Sequence, residues 1–207
     1  LKFRKYQSFS HWLSYNWGIP LGILLVTLLG VYAWHNQQNQ QEVDYRLCWV
    51  GTSFLSSDEQ QALTDLITAN GTDQTGDGEI VVEIDQYYIN FQSDGTDDDA
   101  EDSYNYSTKL LTRLQDRDCY LFLLEDPEGF QRSMGVLRYL DGSVPGEDDG
   151  YECANWAQMC VPFQCEGLEH TAYLARRSLF EAGEEYDVLF PGGEDLFLAL
   201  TQDASAQ

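Results

Sequence analysis

The sequence predicts an α/β protein: a single N-terminal transmembrane helix followed by a small three-layer domain with a mixed, partly parallel sheet. Three observations lead there. Runs of β-formers alternate with helical patterns between residues 45 and 124. Residues 17–34, WGIPLGILLVTLLGVYAW, carry no charge. All 35 acidic residues lie after position 41, while Lys2, Arg4 and Lys5 precede the apolar run.

The domain elements follow in order. YRLCWV at 45–50 suits a buried strand. Ser57 then N-caps a helix, with Gln60 completing a capping box. Leu63, Leu66 and Ile67 repeat at helical spacing, and Asn70 and Gly71 end the helix with residues that tolerate positive φ. IVVEIDQYYINF at 80–91 is the strongest strand signal, dense in β-branched and aromatic residues. The acidic loop SDGTDDDAED follows, self-repelling and solvated. A helix is expected over 100–117, with Tyr106, Leu110, Leu111 and Leu114 on one side, and CYLFLL at 119–124 is the next strand. Strand, helix, strand, helix, strand is the pattern of right-handed βαβ units around a parallel sheet.

The remainder is less regular. Residues 129–140 read as a short helix leading into a strand, and 141–152 as a surface loop by composition. TAYLARRSLF at 171–180 is a strand carrying the basic spot Arg176-Arg177. Pro191, Gly192 and Gly193 form a turn, and 194–200 a last helix packing Leu196, Phe197 and Leu200.

The apolar run sets the location. Eighteen residues make a helix of about 27 Å, against a bilayer core of about 30 Å. Basic residues stay inside, so the N-terminus is expected in the cytoplasm and the domain outside the cell membrane. Trp17, Tyr32 and Trp34 mark the two headgroup levels. The organisation is then 1–16 cytoplasmic basic and interfacial segment, 17–34 membrane helix, 35–43 linker, 44–202 extracytoplasmic α/β domain and 203–207 disordered tail. The chain begins at Leu1 rather than Met, so an earlier start is expected. A cleaved leader is the alternative, since Val31 and Ala33 are small residues at −3 and −1 spacing, but the run exceeds an ordinary leader's apolar core. Past the anchor, 8 basic residues face 35 acidic ones, a formal charge of −27. That excludes nucleic acid as a partner, which demands a basic face, and favours cations, basic partners or plain solubility.

Chemistry-bearing motifs are few. Asp73-Gln74-Thr75-Gly76-Asp77-Gly78-Glu79-Ile80 matches the first eight positions of an EF-hand loop. Asp73, Thr75, Asp77 and the Glu79 carbonyl are therefore candidate ligands for Ca²⁺. Position 12 is Ile84, which supplies no carboxylate, so further ligands would have to come from elsewhere, such as Asp94 to Asp99. The plain alternative is an acidic turn in which the two glycines supply backbone freedom. Among the five cysteines, Cys153, Cys160 and Cys165 cluster within thirteen residues and are the candidates for one disulfide; Cys48 and Cys119 read as buried thiols. Tyr151, Trp156 and Phe163 form either a sugar-stacking face or ordinary packing. His170 is the only histidine well inside the domain. Neither it nor Cys165 has a catalytic signature around it, which makes it a structural histidine. No P-loop, G-x-S-x-G or H-E-x-x-H occurs.

The basic start, the aromatic-flanked anchor, YRLCWVG, DQTGDGEIVV, FLLEDPEGF and YLARRSLF together resemble a loosely defined group of membrane-anchored exported proteins of Gram-positive anaerobes. The resemblance covers most of the chain and implies a globular part similar to one lobe of an extracellular solute-binding protein, without an established activity. The expected function is a non-catalytic extracytoplasmic binding or scaffolding module with a protein or carbohydrate partner and a loop stiffened by Ca²⁺. The alternatives are an accessory subunit of a transporter or envelope-assembly complex, and a hydrolase using acidic residues.

Overall fold

The structure, a computed structural model, describes residues 18–38, 42–92, 100–145, 155–178 and 189–204. It divides between Glu42 and Val43 into two compact units. The first contributes helix α1, Gly18–Gln38. Its described side chains, Gly18 and Leu21 to Tyr32, are all exposed, with Ile23 at 63% and Val26 at 68%. The exposure runs through more than three consecutive turns. Among the described residues no helix is long and apolar enough to cross a membrane; those from Leu21 to Tyr32 cover about 18 Å.

The second unit is a mixed α/β domain. In chain order it contains β1 Tyr45–Gly51, α2 Ser57–Asn70, β2 Val82–Tyr88, α3 Ala100–Gln115, β3 Leu121–Leu124, α4 Pro127–Met134, β4 Cys160–Phe163, β5 Ala172–Arg176 and α5 Gly193–Ala204. The five strands lie in the order β2-β1-β3-β5-β4. β1 runs parallel to both β2 and β3, with Cys48 opposite Asp85 on one side and Phe122 on the other. β5 is antiparallel to β3, and β4 to β5.

The connections out of β1 and back past it run in opposite directions, so right-handed crossovers place α2 and α3 on opposite faces. The period-two alternation of β1 serves both. Tyr45, Leu47 and Trp49 face a core with Leu63 and Ile67 of α2 and Leu196, Phe197 and Leu200 of α5. Cys48 and Val50 face the other, with Leu110 and Leu114 of α3 and Phe130 of α4. β3 is buried on both faces, and all four of its residues are apolar.

Several elements differ from the sequence expectation. Helix α2 is capped one residue earlier, by Ser56 with Glu59 as the reciprocal partner: the Ser56 side chain accepts from the Glu59 N–H and the Glu59 carboxylate from the Ser56 N–H. β2 is shorter than 80–91, its start displaced by the turn before it. The strand expected at the end of 129–140 is one bridge, Leu137 to Arg177. β4 was not expected at all. α5 runs through Ala204, beyond Leu200 and into the segment expected to be disordered.

Arg176 and Arg177 are a correction of another kind: both are buried, at 2% and 9% exposure, and offer no basic docking spot. β5 is an interior strand, so its side chains are covered. Arg176 is accommodated by ion pairing with Glu194, by donating to the Tyr139 and Leu140 carbonyls, and by stacking 4.7 Å from the Phe197 ring. Tyr120 donates to the same Glu194 carboxylate. Arg177 donates to the Leu114 carbonyl.

The cysteine pairing differs too. Cys48 and Cys119, expected as buried thiols, form a disulfide that ties β1 to the residues entering β3. Cys160 and Cys165 are free, and burial raises both thiol pKa values, Cys160 to about 11. Cys153 lies outside the described residues.

Candidate functional site

The carboxyl ends of parallel strands deliver a polar cluster. β1 ends at Gly51 and turns through Thr52 and Ser53 toward α2; β3 ends at Leu124 and is followed at once by Glu125. β5 runs antiparallel, so the residue two places before it, His170, reaches the same edge. This is the switch point of the sheet, where flanking connections diverge to opposite faces and open α/β folds leave a crevice.

Each side chain is held from behind. The Trp49 indole, fully buried, donates to the Ser53 carbonyl at 2.8 Å and meets the His170 ring edge-on at 5.3 Å. His170 Nδ1 lies 2.6 Å from Glu59 Oε1, and Nε2 lies 2.8 Å from Ser53 Oγ. Glu59 also accepts from the Ser56 N–H at 2.8 Å, the Ser56 hydroxyl at 2.9 Å and the Glu169 N–H at 3.1 Å. Burial alone would raise its pKa; the bonds from Ser56, His170 and Glu169 outweigh this and lower it to about 2. An ionised Glu59 requires a proton on Nδ1. In the neutral ring Nε2 is then an acceptor at 2.8 Å that shares the single Ser53 hydroxyl proton with Glu125 Oε1 at 3.3 Å.

Glu125 stands on the other side of Ser53. Its Oε1 accepts from the Ser53 hydroxyl at 3.3 Å and lies 4.0 Å from His170 Nε2, while Oε2 accepts from the Thr52 N–H at 2.6 Å and hydroxyl at 2.9 Å. Gly51 makes the approach possible, since a Cβ there would sit 2.6 Å from the Glu125 carboxyl carbon. Beside Glu125 a cleft of about 470 Å³ opens over the ends of β1, β2 and β3. Ile89 and Phe91 contribute apolar wall, and Asn90, Gln92, Glu125 and Asp126 contribute polar atoms. Among the described residues that line it, two are acidic and none is basic.

No family model, no curated protein and no solved structure matches this chain.

The loop expected to bind Ca²⁺ lies at the other end of α2, and the side chains of Asp73, Thr75 and Asp77 are engaged in bonds within the turn. Asp73 turns both oxygens onto its own backbone, accepting from Gly76 N at 2.6 Å and Gly78 N at 2.8 Å, and from the Thr75 hydroxyl at 3.2 Å. The Gly78 bond is the chief cause that lowers its pKa. Asp77 accepts from Glu79 N at 2.9 Å. Gly76 and Gly78 take φ of 76° and 92°, the freedom the turn reading assigns them. Asp44 clamps the ends of this segment by accepting from Gln74, Thr75 and Val81 N–H groups, which lower its pKa against the effect of burial. Among the described residues no group of three or more His, Cys, Asp or Glu is placed to hold a metal ion. Asp94 to Asp99 lie outside the described residues.

The aromatic face does not come together either. Phe163 is buried in the core, Trp156 packs edge-on against Tyr173 at 6.0 Å, and Tyr151 lies outside the described residues. Sequence reading missed Ser53, Glu59 and Glu125, and assigned His170 no chemistry. A usable signal was present: Thr52-Ser53 and Glu125-Asp126 are the first polar residues after two strands expected in one parallel sheet, and the carboxyl ends of such strands are where these sheets bind ligands.

Proposed function

We propose that this protein is a membrane-anchored extracytoplasmic binding module whose ligand occupies the carboxyl edge of β1 and β3 and carries a positive charge. The acidic cleft at the switch point carries this reading. Glu125 and Asp126 face it without a basic side chain among the described lining residues, so phosphates and carboxylates are repelled and a cation is favoured. Its size suits a small molecule.

The anchor is the uncharged run within α1. The exposure of every described apolar side chain from Leu21 to Tyr32 supports it, because nine such residues facing water on all sides are costly and facing lipid are not. The three basic residues ahead of the run support an inside N-terminus. The Cys48–Cys119 disulfide supports an oxidising compartment for the domain.

Two measurements check the proposal. Full chain in detergent micelles should take up alaninamide, a small ammonium compound, in a calorimetric titration and ignore N-acetylalanine; Glu125→Gln should weaken uptake about tenfold, the usual cost of one partly exposed charge contact. Absence of heat with alaninamide would sink the ligand reading. In membranes of the expressing cell the chain should stay bound through alkaline carbonate washing, and recovery in the soluble fraction would refute the anchor.

A further inference from the structure

We propose that Ser53 is a nucleophile and that the module hydrolyses aminoacyl esters, compounds with a free α-ammonium group next to the carbonyl that Ser53 attacks. The inference rests on the binding reading above, since the bound ammonium compound is what is turned over.

The relay has the three parts such chemistry needs. Ser53 Oγ is 2.8 Å from the only ring nitrogen of His170 free to accept a proton, and the other nitrogen is held at 2.6 Å by Glu59. Nucleophile and base are in reach of each other, and the base is oriented by a third group. Ser53 and His170 touch the reacting atoms; Glu59 is a positioning residue. His170 is 26% exposed and Glu59 6%, so the base meets substrate while the orienting carboxylate is covered. A histidine that only braced a loop would be satisfied by Glu59 and by packing on Trp49. It would not need its second nitrogen aimed at a serine in a strand-to-helix turn.

Glu125 selects the substrate. Its carboxylate is 3.3 Å from Ser53 Oγ and occupies the Thr52 N–H. An acyl group without charge would develop its oxyanion next to this carboxylate, which is repulsive. In an aminoacyl ester the ammonium nitrogen is two bonds from the carbonyl carbon. With that carbon on Ser53, the ammonium reaches Glu125, neutralises it and draws it from Thr52, whose N–H then faces the developing oxyanion.

The step balances without a redox partner. Ser53 Oγ forms a bond to the carbonyl carbon as its proton moves to His170 Nε2. The carbon–oxygen bond to the alcohol breaks, and Nε2 returns the proton to the departing alkoxide. Water then attacks the aminoacyl-Ser53 ester, giving one proton through Nε2 back to Ser53 Oγ and releasing the free amino acid. The sum is ester and water giving acid and alcohol.

The test uses full chain in detergent micelles, with Ser53→Ala purified in parallel to account for contaminating esterases and circular dichroism to establish folding. An aminoalkyl fluorophosphonate, its ammonium two bonds from phosphorus, should add one label at Ser53, none in Ser53→Ala, and label His170→Ala about 100-fold more slowly, the usual contribution of a general base. Alanine benzyl ester should be hydrolysed about tenfold or more faster than its N-acetyl derivative. Glu125→Gln should bring the two rates within about threefold, because the charge that discriminates them is gone. Folded wild type that binds alaninamide but neither labels nor hydrolyses overturns the activity and leaves the binding reading standing. Labelling at Ser53 with equal rates for the free and acetylated esters overturns the substrate class. Failure to bind alaninamide overturns the binding reading and this inference with it.

Discussion

Replacing Cys48 and Cys119 together with alanine is expected to lower the unfolding free energy by about 4 kcal/mol, the chain-entropy value for a loop of this length. The two cysteines are 71 positions apart, so the bridge closes a loop that contains α2, β2 and α3. In the unfolded chain that closure removes many conformations, and in the folded one both sulfurs sit in a core already formed by Val50, Leu110, Leu114 and Phe122. Both residues are completely buried, so the alanines add the smaller cost of lost packing. Urea midpoints of wild type and double variant measure the difference, and reductant should bring wild type down toward the variant, the remaining gap being the lost packing. A shift below about 1 kcal/mol would show that the bridge contributes nothing to folding.

Glu59→Gln is expected to cost on the order of 2–3 kcal/mol near neutral pH, after allowance for solvent screening, and to flatten the acid limb of the stability curve. The sign follows from the direction of the shift. The folded pKa is lowered from 4.5 to about 2, so the carboxylate's contribution is present in full above its unfolded value. It is lost as pH falls from about 5 through about 2, because the unfolded chain takes up the proton first. Glutamine keeps one acceptor for the cap but gives up the charge-assisted bond to His170. The measurement is unfolding free energy against pH for both proteins. Curves that stay parallel down to pH 2 would mean that Glu59 is not held ionised by its partners.

These two effects involve residues that the sequence ranked differently. Cys48 and Cys119 were legible as strand residues, because YRLCWV and CYLFLL are runs of β-formers, yet not as partners. Their pairing depends on β1 and β3 being adjacent with α2, β2 and α3 looped out between them. Glu59 was visible only as a charge in the first turn of a helix. Reading Ser57 rather than Ser56 as the cap moved the reciprocal partner to Gln60 and hid the carboxylate that orients His170. β4, CVPF, escaped for a local reason: Pro162 lacks a ladder donor and argues against a strand, but β4 is the edge of the sheet, where one side needs no donor. Arg176-Arg177 looked like an exposed spot because charge normally seeks water. An interior strand with Glu194 within reach reverses that.

By itself the sequence determined the class of the domain, the alternation that builds a parallel half-sheet, the acidic character and the uncharged N-terminal run. All of these are local patterns or sums over composition, and such quantities survive without a fold. Only the tertiary structure decided which residues act together. Ser53 and His170 are 117 positions apart, and Glu59 and His170 are 111. They meet because β5 turns back beside β3 and brings its leading residues to the carboxyl edge of β1. Strand order is a property of how apolar faces are buried together over the whole domain. A chemical site assembled across that order is written in no single stretch of the chain.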